Sequence, residues 1–490
     1  MKAILLFQNL AMPLTYPGVI TIPCNNMRNL RNRTLIVLLA LLVFSAGVRA
    51  DQVDDYVRTV LAERHVPGVA VGVIKDGKVV KLKGYGVASV EFNVPVTTET
   101  VFEIGSVSKQ MTAAGIMLLV EDGKVNLDAP ISAYLPNTPE AWKDVTVRHL
   151  LTHTSGVKSY SSLDGFELFR HLKTDAFIKA LAPHPLEFVP GERNIYSNSG
   201  FTLLGHIIQT VSGKPYMQFM RERIFTPLGM TKTADRDPQF IIPNRAVGYE
   251  WDIDHLEGRD GNLTDLMGAG SIVSTISDMV KWDAALNGKN FLKPESRGEW
   301  WTQYTFTNGK PSPYGFGWRI SNVRGRRLIG HTGQTAGFGA ANFRYVNDRL
   351  SVIVLTNLGE IGLGGQIATR IAKFYAPGLS LKAVTAKPES VPGLGEKLLS
   401  VLRARNDEKL DAAPLTPPLV RSLSTERAKA NYRRIAYLGA PTTVTFVELD
   451  ETGARPNYRY RVEAGKRLFL WRIAVNEEGR IAELSLEEEE

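Results

Sequence analysis

Two alternating runs, residues 69–75 and 78–84, flank Asp76-Gly77, and that dipeptide between β-branched stretches predicts a β-hairpin. A second hairpin is predicted near residues 340–358, turning at Asn347-Asp348. Between them the period lengthens. Met111, Ala114, Gly115, Leu118 and Leu119 recur at helical spacing before a stop at Asp122-Gly123. Residues 201–211, 216–224 and 277–286 also read as helices. Strands at both ends of a helical middle predict an α+β fold, in which an antiparallel sheet is flanked by helices with an inserted helical region, rather than regular βαβ repeats.

After Tyr375 the texture changes. Residues 377–395 are rich in Pro, Gly, Ser and Lys and read as an exposed linker. Helical patterns follow at 396–405 and 419–438. Short strands come next, at 443–449, 457–463, 467–475 and 481–486, with turns at Thr452-Gly453, Ala464-Gly465 and Glu478-Gly479. Residues 396–490 therefore read as a small C-terminal α+β domain, behind a larger domain at 51–376. The closing run of four Glu reads as a solvated tail.

The first fifty residues fit neither domain. Arg28, Arg31 and Arg33 precede an apolar run at 35–44, and the small residues Ser45-Ala46-Gly47 lead to Ala50, where cleavage is expected. The run falls short of the roughly 20 apolar residues that a membrane span needs, so no stable span is expected after cleavage. Because this pattern starts at Met27, residues 1–26 look superfluous, as if the start codon had been assigned too early. A periplasmic or secreted destination follows. Cys24 is the chain's one cysteine, so the processed chain would hold no disulfide and no cysteine nucleophile.

Charge adds little. Five of the basic residues behind the net +8 lie in residues 1–50, which hold no Asp or Glu, so the remainder carries +3. A nucleic-acid partner would need a focused basic patch, and the sequence has none.

The chemistry begins at Ser106-Val107-Ser108-Lys109. At i and i+3 the hydroxyl and the amine share one face, so Lys109 can accept the proton that keeps Ser106 from attacking. Ser106 sits where the apolar helix starts, and a helix's positive end favours negative charge growing on a carbonyl oxygen. By itself S-x-x-K is a weak signal. Two further segments strengthen it: Tyr196-Ser197-Asn198, after a Pro190-Gly191 turn, and His331-Thr332-Gly333, before a Gly-rich stretch.

Together these resemble the three active-site elements of the class C β-lactamase group, which includes penicillin-binding proteins, D-aminopeptidases and esterases. The resemblance covers residues 53–375 and includes Leu150-Leu151-Thr152-His153-Thr154-Ser155-Gly156, Pro227-Leu228-Gly229-Met230 and Ala269-Gly270-Ser271. It implies a serine hydrolase acting through an acyl-enzyme on Ser106, with no cofactor and no metal. Lys109 would lower the Tyr196 pKa from about 10, so that the two titrate as a unit and jointly take the Ser106 proton. Asn198 would hold a substrate carbonyl and the Lys109 amine. His331, Thr332 and Gly333 would line the pocket, with the backbone N–H of Gln334 joining that of Ser106 in an oxyanion hole.

His331 is the departure that matters. True β-lactamases usually carry lysine there, and a neutral imidazole weakens the charge that would hold a lactam carboxylate. A small ester or short peptide, with D-residues among the candidates, is therefore the expected substrate. A β-lactamase or D,D-carboxypeptidase is the enzymatic alternative, and a catalytically silent receptor for cell-wall peptides is the non-enzymatic one. Oligomeric state stays open. His149 and His153 lack the glutamate of H-E-x-x-H and read as structural. Trp251, Trp300, Trp301, Tyr304 and Trp318 stay unassigned between core and cleft.

Overall fold

The computed structural model describes residues 51–490 except 164–172, 253, 262, 289–290, 408, 427, 430–431, 433–438 and 451–455. The N-terminal targeting pattern, Cys24 and the Thr452-Gly453 turn lie outside the described residues.

Seven antiparallel strands form the main sheet: β1 (Gly68–Lys75), β2 (Lys78–Ser89), β3 (Val94–Pro95), β4 (Arg319–Val323), β5 (Arg326–Thr335), β6 (Phe338–Tyr345) and β7 (Leu350–Thr356). Their spatial order is β3-β2-β1-β7-β6-β5-β4, so the two ends of the larger domain close on each other through the β1–β7 pairing, Val71 opposite Val354. Both predicted hairpins are present. Asp76 and Gly77 take φ of 52° and 76°, the left-handed pair that a tight hairpin demands. Strand β4 was not anticipated, although Arg324-Gly325, with φ of 53° and 77°, makes the same kind of turn into β5.

The helical middle contains Ser108–Glu121, Asn198–Ser212 and Ile276–Asn287, each within a few residues of its expected place. The predicted helix at 216–224 divides into an α-segment, Tyr216–Met220, and a π-turn, Arg221–Phe225. Helix Ser108–Glu121 is buried around its whole circumference from Ser108 to Leu119. Its polar side chains must then find partners inside. Thr112 Oγ1 donates to Gly268 O at 2.7 Å, and Gln110 Oε1 accepts from Trp282 Nε1 and Asn342 Nδ2, both at 3.1 Å. Trp300 and Trp318 belong to this core, whereas Trp251 lies near the surface with its ring stacked on His65 at 3.9 Å.

A three-stranded sheet, ordered Val101–Glu103, Ile272–Thr275, Ala234–Asp235, leads the chain into the Ser106 turn. Buried Arg236 follows its last strand and binds Glu103 Oε1 at 3.2 Å and Asp260 Oδ1 at 2.5 Å. Burial is the largest influence on Glu103 and raises its pKa to about 7, although Arg236 and Thr335 oppose it. Because the folded pKa exceeds the unfolded one, Glu103 contributes stability below about pH 4.5 that is lost as pH rises toward 7. The melting temperature of wild type relative to Glu103→Gln is therefore expected to fall across that window. Arg236→Ala leaves the buried Glu103 carboxyl without its donor and is expected to cost roughly 1–3 kcal/mol in denaturant unfolding.

The C-terminal sheet contains β8 (Pro441–Asp450), β9 (Asn457–Ala464), β10 (Arg467–Val475) and β11 (Ile481–Glu489) in that order. Helix Leu394–Asn406 supplies Leu394, Leu398, Val401 and Leu402 to a core shared with Tyr460, Phe469 and Ile473. The expected helix at 419–438 is seen as Pro417–Leu423, and much of the rest falls outside the described residues. Two sequence expectations need correction. Segment 377–395 is not simply exposed, because Leu379 and Leu381 are buried, and Leu381 packs with Val447 and Leu470. The acidic end is no free tail either: Glu490 accepts from Lys373 Nζ at 2.9 Å, Ser380 Oγ at 2.6 Å and Leu381 N at 2.7 Å. Composition favoured solvation there, but a buried lysine and an open backbone N–H outcompeted water. Among the described residues no helix is long and apolar enough to cross a membrane.

Candidate active site

Ser106 stands in a 3-10 turn, Gly105–Val107, and the α-helix begins behind it at Ser108. The sequence pattern put Ser106 at the helix start itself; the tighter turn serves better, because side chains at i and i+3 eclipse in 3-10 geometry. Lys109 Nζ lies 3.0 Å from Ser106 Oγ. Tyr196, a sequence-distant residue just before helix Asn198–Ser212, donates its hydroxyl to the same Oγ at 2.7 Å. Ser197 caps that helix through Gly200 N at 3.3 Å, which fixes where Tyr196 leaves the chain.

Lys109 is wholly buried, and two more oxygens meet its nitrogen: Asn198 Oδ1 at 2.8 Å and Ala269 O at 2.7 Å. Both are carbonyl oxygens and can only accept. A neutral amine spends its two hydrogens on them, which aims its lone pair at Ser106 Oγ. The carbonyl of Ala269 had no assigned role in the sequence, although its block was noted. It is presented by a loop whose Met267 adopts φ 34° and ψ −119°, a strained pair. Hydroxyls hold the loop in place: Ser271 Oγ donates to Met267 O at 3.0 Å, and Thr112 holds Gly268 O.

Electrostatics run against one expectation. Lys109 was to acidify Tyr196, yet burial drives the Lys109 amine well below its ordinary pKa and the Tyr196 phenol well above its own. Desolvation penalises both charged forms, which favours amine over ammonium and phenol over phenolate. Lys109 is then the base. Tyr196 is a donor.

His331, Thr332, Gly333 and Gln334 lie along β5, with His331 and Gly333 facing the site. A Cβ on Gly333 would sit 1.9 Å from Ile104 O and 3.3 Å from Ser106 N, so only glycine lets β5 come this close. Gly105, at φ 49°, meets the backbone N of Gln334 in the same way, where a Cβ would stand 2.7 Å from it. These contacts bring the Ser106 and Gln334 backbones together. The Thr332 methyl instead approaches helix Leu363–Tyr375, 3.1 Å from where a Cβ on Gly365 would be, so the Thr332 side chain points away from Ser106. His331 is buried, and burial foremost pushes its pKa down to about 3; its ring is 6.0 Å from that of Tyr196.

Two neighbours escaped the sequence reading. Tyr314 is buried, with its hydroxyl 3.4 Å from His331 Nε2, and the exposed Arg319 stands over the Tyr314 ring at 5.8 Å. A Gly-flanked aromatic run at 314–318 marked the place without naming the chemistry. His149 Nδ1 accepts from Thr146 N at 3.2 Å and its Nε2 meets Tyr304 OH at 3.3 Å, so both residues brace a short helix. Among the described residues no group of three or more His, Cys, Asp or Glu is arranged to hold a metal ion.

Comparison with known proteins gives the same region. The profile of the Beta-lactamase family matches residues 53–375. Penicillin-binding protein 4* of Bacillus subtilis (strain 168) is 30% identical over 318 residues, covering 61% of this chain and 70% of that protein. A D-aminopeptidase of Gluconobacter oxydans (strain 621H) is 28% identical over 375 residues, covering 74% and 70%. Among solved structures, the octameric penicillin-binding protein homologue from Pyrococcus abyssi superposes with a TM-score of 0.60 at 25% identity, covering 88% of this chain and 94% of that one. With a serine, a lysine and a tyrosine converging on one oxygen inside the matched region, the chain belongs to the Beta-lactamase family of serine hydrolases.

Proposed function

We propose that the protein is an exported hydrolase that cleaves a small ester, or the amide of a short peptide with D-residues among its acyl donors, through an acyl-enzyme on Ser106. One observation carries this reading: Ser106 Oγ sits between a desolvated amine at 3.0 Å and a phenol at 2.7 Å. The Ser106 oxygen attacks the carbonyl carbon while its proton passes to Lys109. Negative charge gathers on the carbonyl oxygen, facing the backbone N–H groups of Ser106 and Gln334. As the bond to the leaving group breaks, Tyr196 protonates the departing nitrogen or oxygen, and the Lys109 ammonium returns a proton to the phenolate. Water then attacks the ester, giving its proton to Lys109, and the ammonium passes that proton to Ser106 Oγ, which leaves as the hydroxyl.

The substrate preference rests on His331. A neutral ring gives no fixed charge to a lactam carboxylate, and a D-aminopeptidase is among the similar proteins. Export rests on the basic-then-apolar pattern at residues 28–50. Labelling with a fluorophosphonate followed by peptide mass spectrometry is expected to mark Ser106. Hydrolysis of p-nitrophenyl esters or D-aminoacyl anilides is expected to exceed nitrocefin turnover; fast lactam turnover with slow esters would reverse the preference, and no labelling of Ser106 would end the reading. N-terminal sequencing of the secreted protein checks cleavage after Ala50.

A further inference from the structure

His153 lies two residues beyond helix Val147–Leu151, in a left-handed conformation with φ 59°, a region that a non-glycine residue occupies only when its surroundings demand it. What surrounds it is Tyr196. The N–H of Ile195 donates to His153 O at 3.1 Å, and the N–H of Ser197 donates to His153 Nδ1 at 3.2 Å. The residues on either side of the tyrosine are thus tied to one histidine, through its backbone and its ring. The ring also covers the tyrosine, at 4.4 Å between centroids and 37° between planes. Phe201 at 5.1 Å and Tyr314 at 4.9 Å pack on the imidazole as well, so it has little freedom to turn.

We infer that His153 is a positioning residue, a clamp that sets the Tyr196 hydroxyl at hydrogen-bond distance from Ser106 Oγ. The imidazole suits the task because Nδ1 must accept, and it can do so only while neutral. Burial foremost holds the ring pKa well below its ordinary value, which favours the neutral, accepting form. Histidine combines an aromatic stacking face, a backbone-reaching acceptor and tolerance of the left-handed region. A donor shifted by about 1 Å can cost 10²-fold in rate, which makes the clamp matter although it never touches substrate.

The inference rests on Tyr196 acting at Ser106, and the test separates the two. The full-length chain and its His153→Phe, His153→Asn, Tyr196→Phe and His153→Phe/Tyr196→Phe variants are reacted with a fluorophosphonate, and the rate of Ser106 modification is measured. Phenylalanine keeps the face and loses the acceptor, while asparagine tolerates the backbone and loses the face. Each single His153 variant is expected to react roughly 10- to 100-fold more slowly. Adding His153→Phe to Tyr196→Phe is expected to change the rate less than twofold, because the clamp has nothing left to position. Equal losses in both backgrounds would mean a merely structural histidine, and a folded His153 variant reacting at the wild-type rate would overturn the clamp outright. Melting curves come first; if His153→Phe does not fold, the His153→Asn pair carries the same comparison. Failure of wild-type Ser106 to react would sink the functional reading instead. The clamp would then be judged by the ¹³C resonance of the Tyr196 ring, assigned by its loss in Tyr196→Phe: a shift in His153→Asn supports it and an unmoved resonance refutes it.

Discussion

Lys109→Arg is expected to be as inactive as Lys109→Met, each losing roughly 10⁴-fold or more in kcat/KM on any ester the wild type turns over. A substitution that keeps positive charge yet loses everything would identify the proton acceptor. Lys109 serves only as the neutral amine, with two hydrogens on Asn198 Oδ1 and Ala269 O and its lone pair toward Ser106. Guanidinium cannot be deprotonated in a protein and has no lone pair to offer. It is also too large for a site with no exposed surface. If Lys109 acted instead through its charge, steadying an oxyanion or a phenolate, arginine would retain a measurable fraction of the rate and methionine would not. Steady-state kinetics on the two variants, with circular dichroism to show that both fold, decides between these. Partial activity in the arginine variant alone would reject the base assignment.

Much of this site was legible beforehand because its members lie in short local patterns. Ser106 and Lys109 are one turn apart, and Tyr196 and Asn198 stand at the start of a helix whose apolar period is plain. The hairpins around Asp76-Gly77 and Asn347-Asp348 could be read because left-handed turn residues punctuate β-branched runs. What could not be read was either a backbone atom or a consequence of burial. Ala269 contributes a carbonyl, and every residue has one. Its selection depends on Met267 and on hydroxyls from Thr112 and Ser271, which the fold brings from afar. Desolvation of Lys109 was invisible too, since a lysine near a helix start is ordinarily solvated; the surrounding core favours its amine form and works against the phenolate expected at Tyr196. Thr332 looked like a pocket residue because its neighbours are, but strand alternation turns every second side chain to the other face. At the other end of the chain, four glutamates in a row spoke for solvent, and only the partners of Glu490 speak otherwise.

Tyr196→Phe is expected to lower kcat by roughly 10²- to 10⁴-fold with little change in KM, the range for loss of a positioned acid–base group. The ring remains to pack against His153, so the loss isolates the hydroxyl. Its pH signature follows from the directions of the two shifts. The amine must be neutral, so activity rises with pH through the Lys109 pKa, which burial places far below the usual lysine range. The phenol must keep its proton, so activity falls only when Tyr196 ionises, and burial moves that above the ordinary phenol range. Between the two the rate is flat, and the base assignment requires neutrality to lie inside that plateau. The alternative, a tyrosinate base poised near pH 7, requires the rate to climb through neutrality as the phenol loses its proton. In Tyr196→Phe the alkaline fall is expected to disappear, because no phenol remains to ionise, while the acid limb stays where Lys109 puts it. A wild-type profile that rises through pH 7 and goes flat in Tyr196→Phe would return the base to the phenol and leave the amine as its counter-charge.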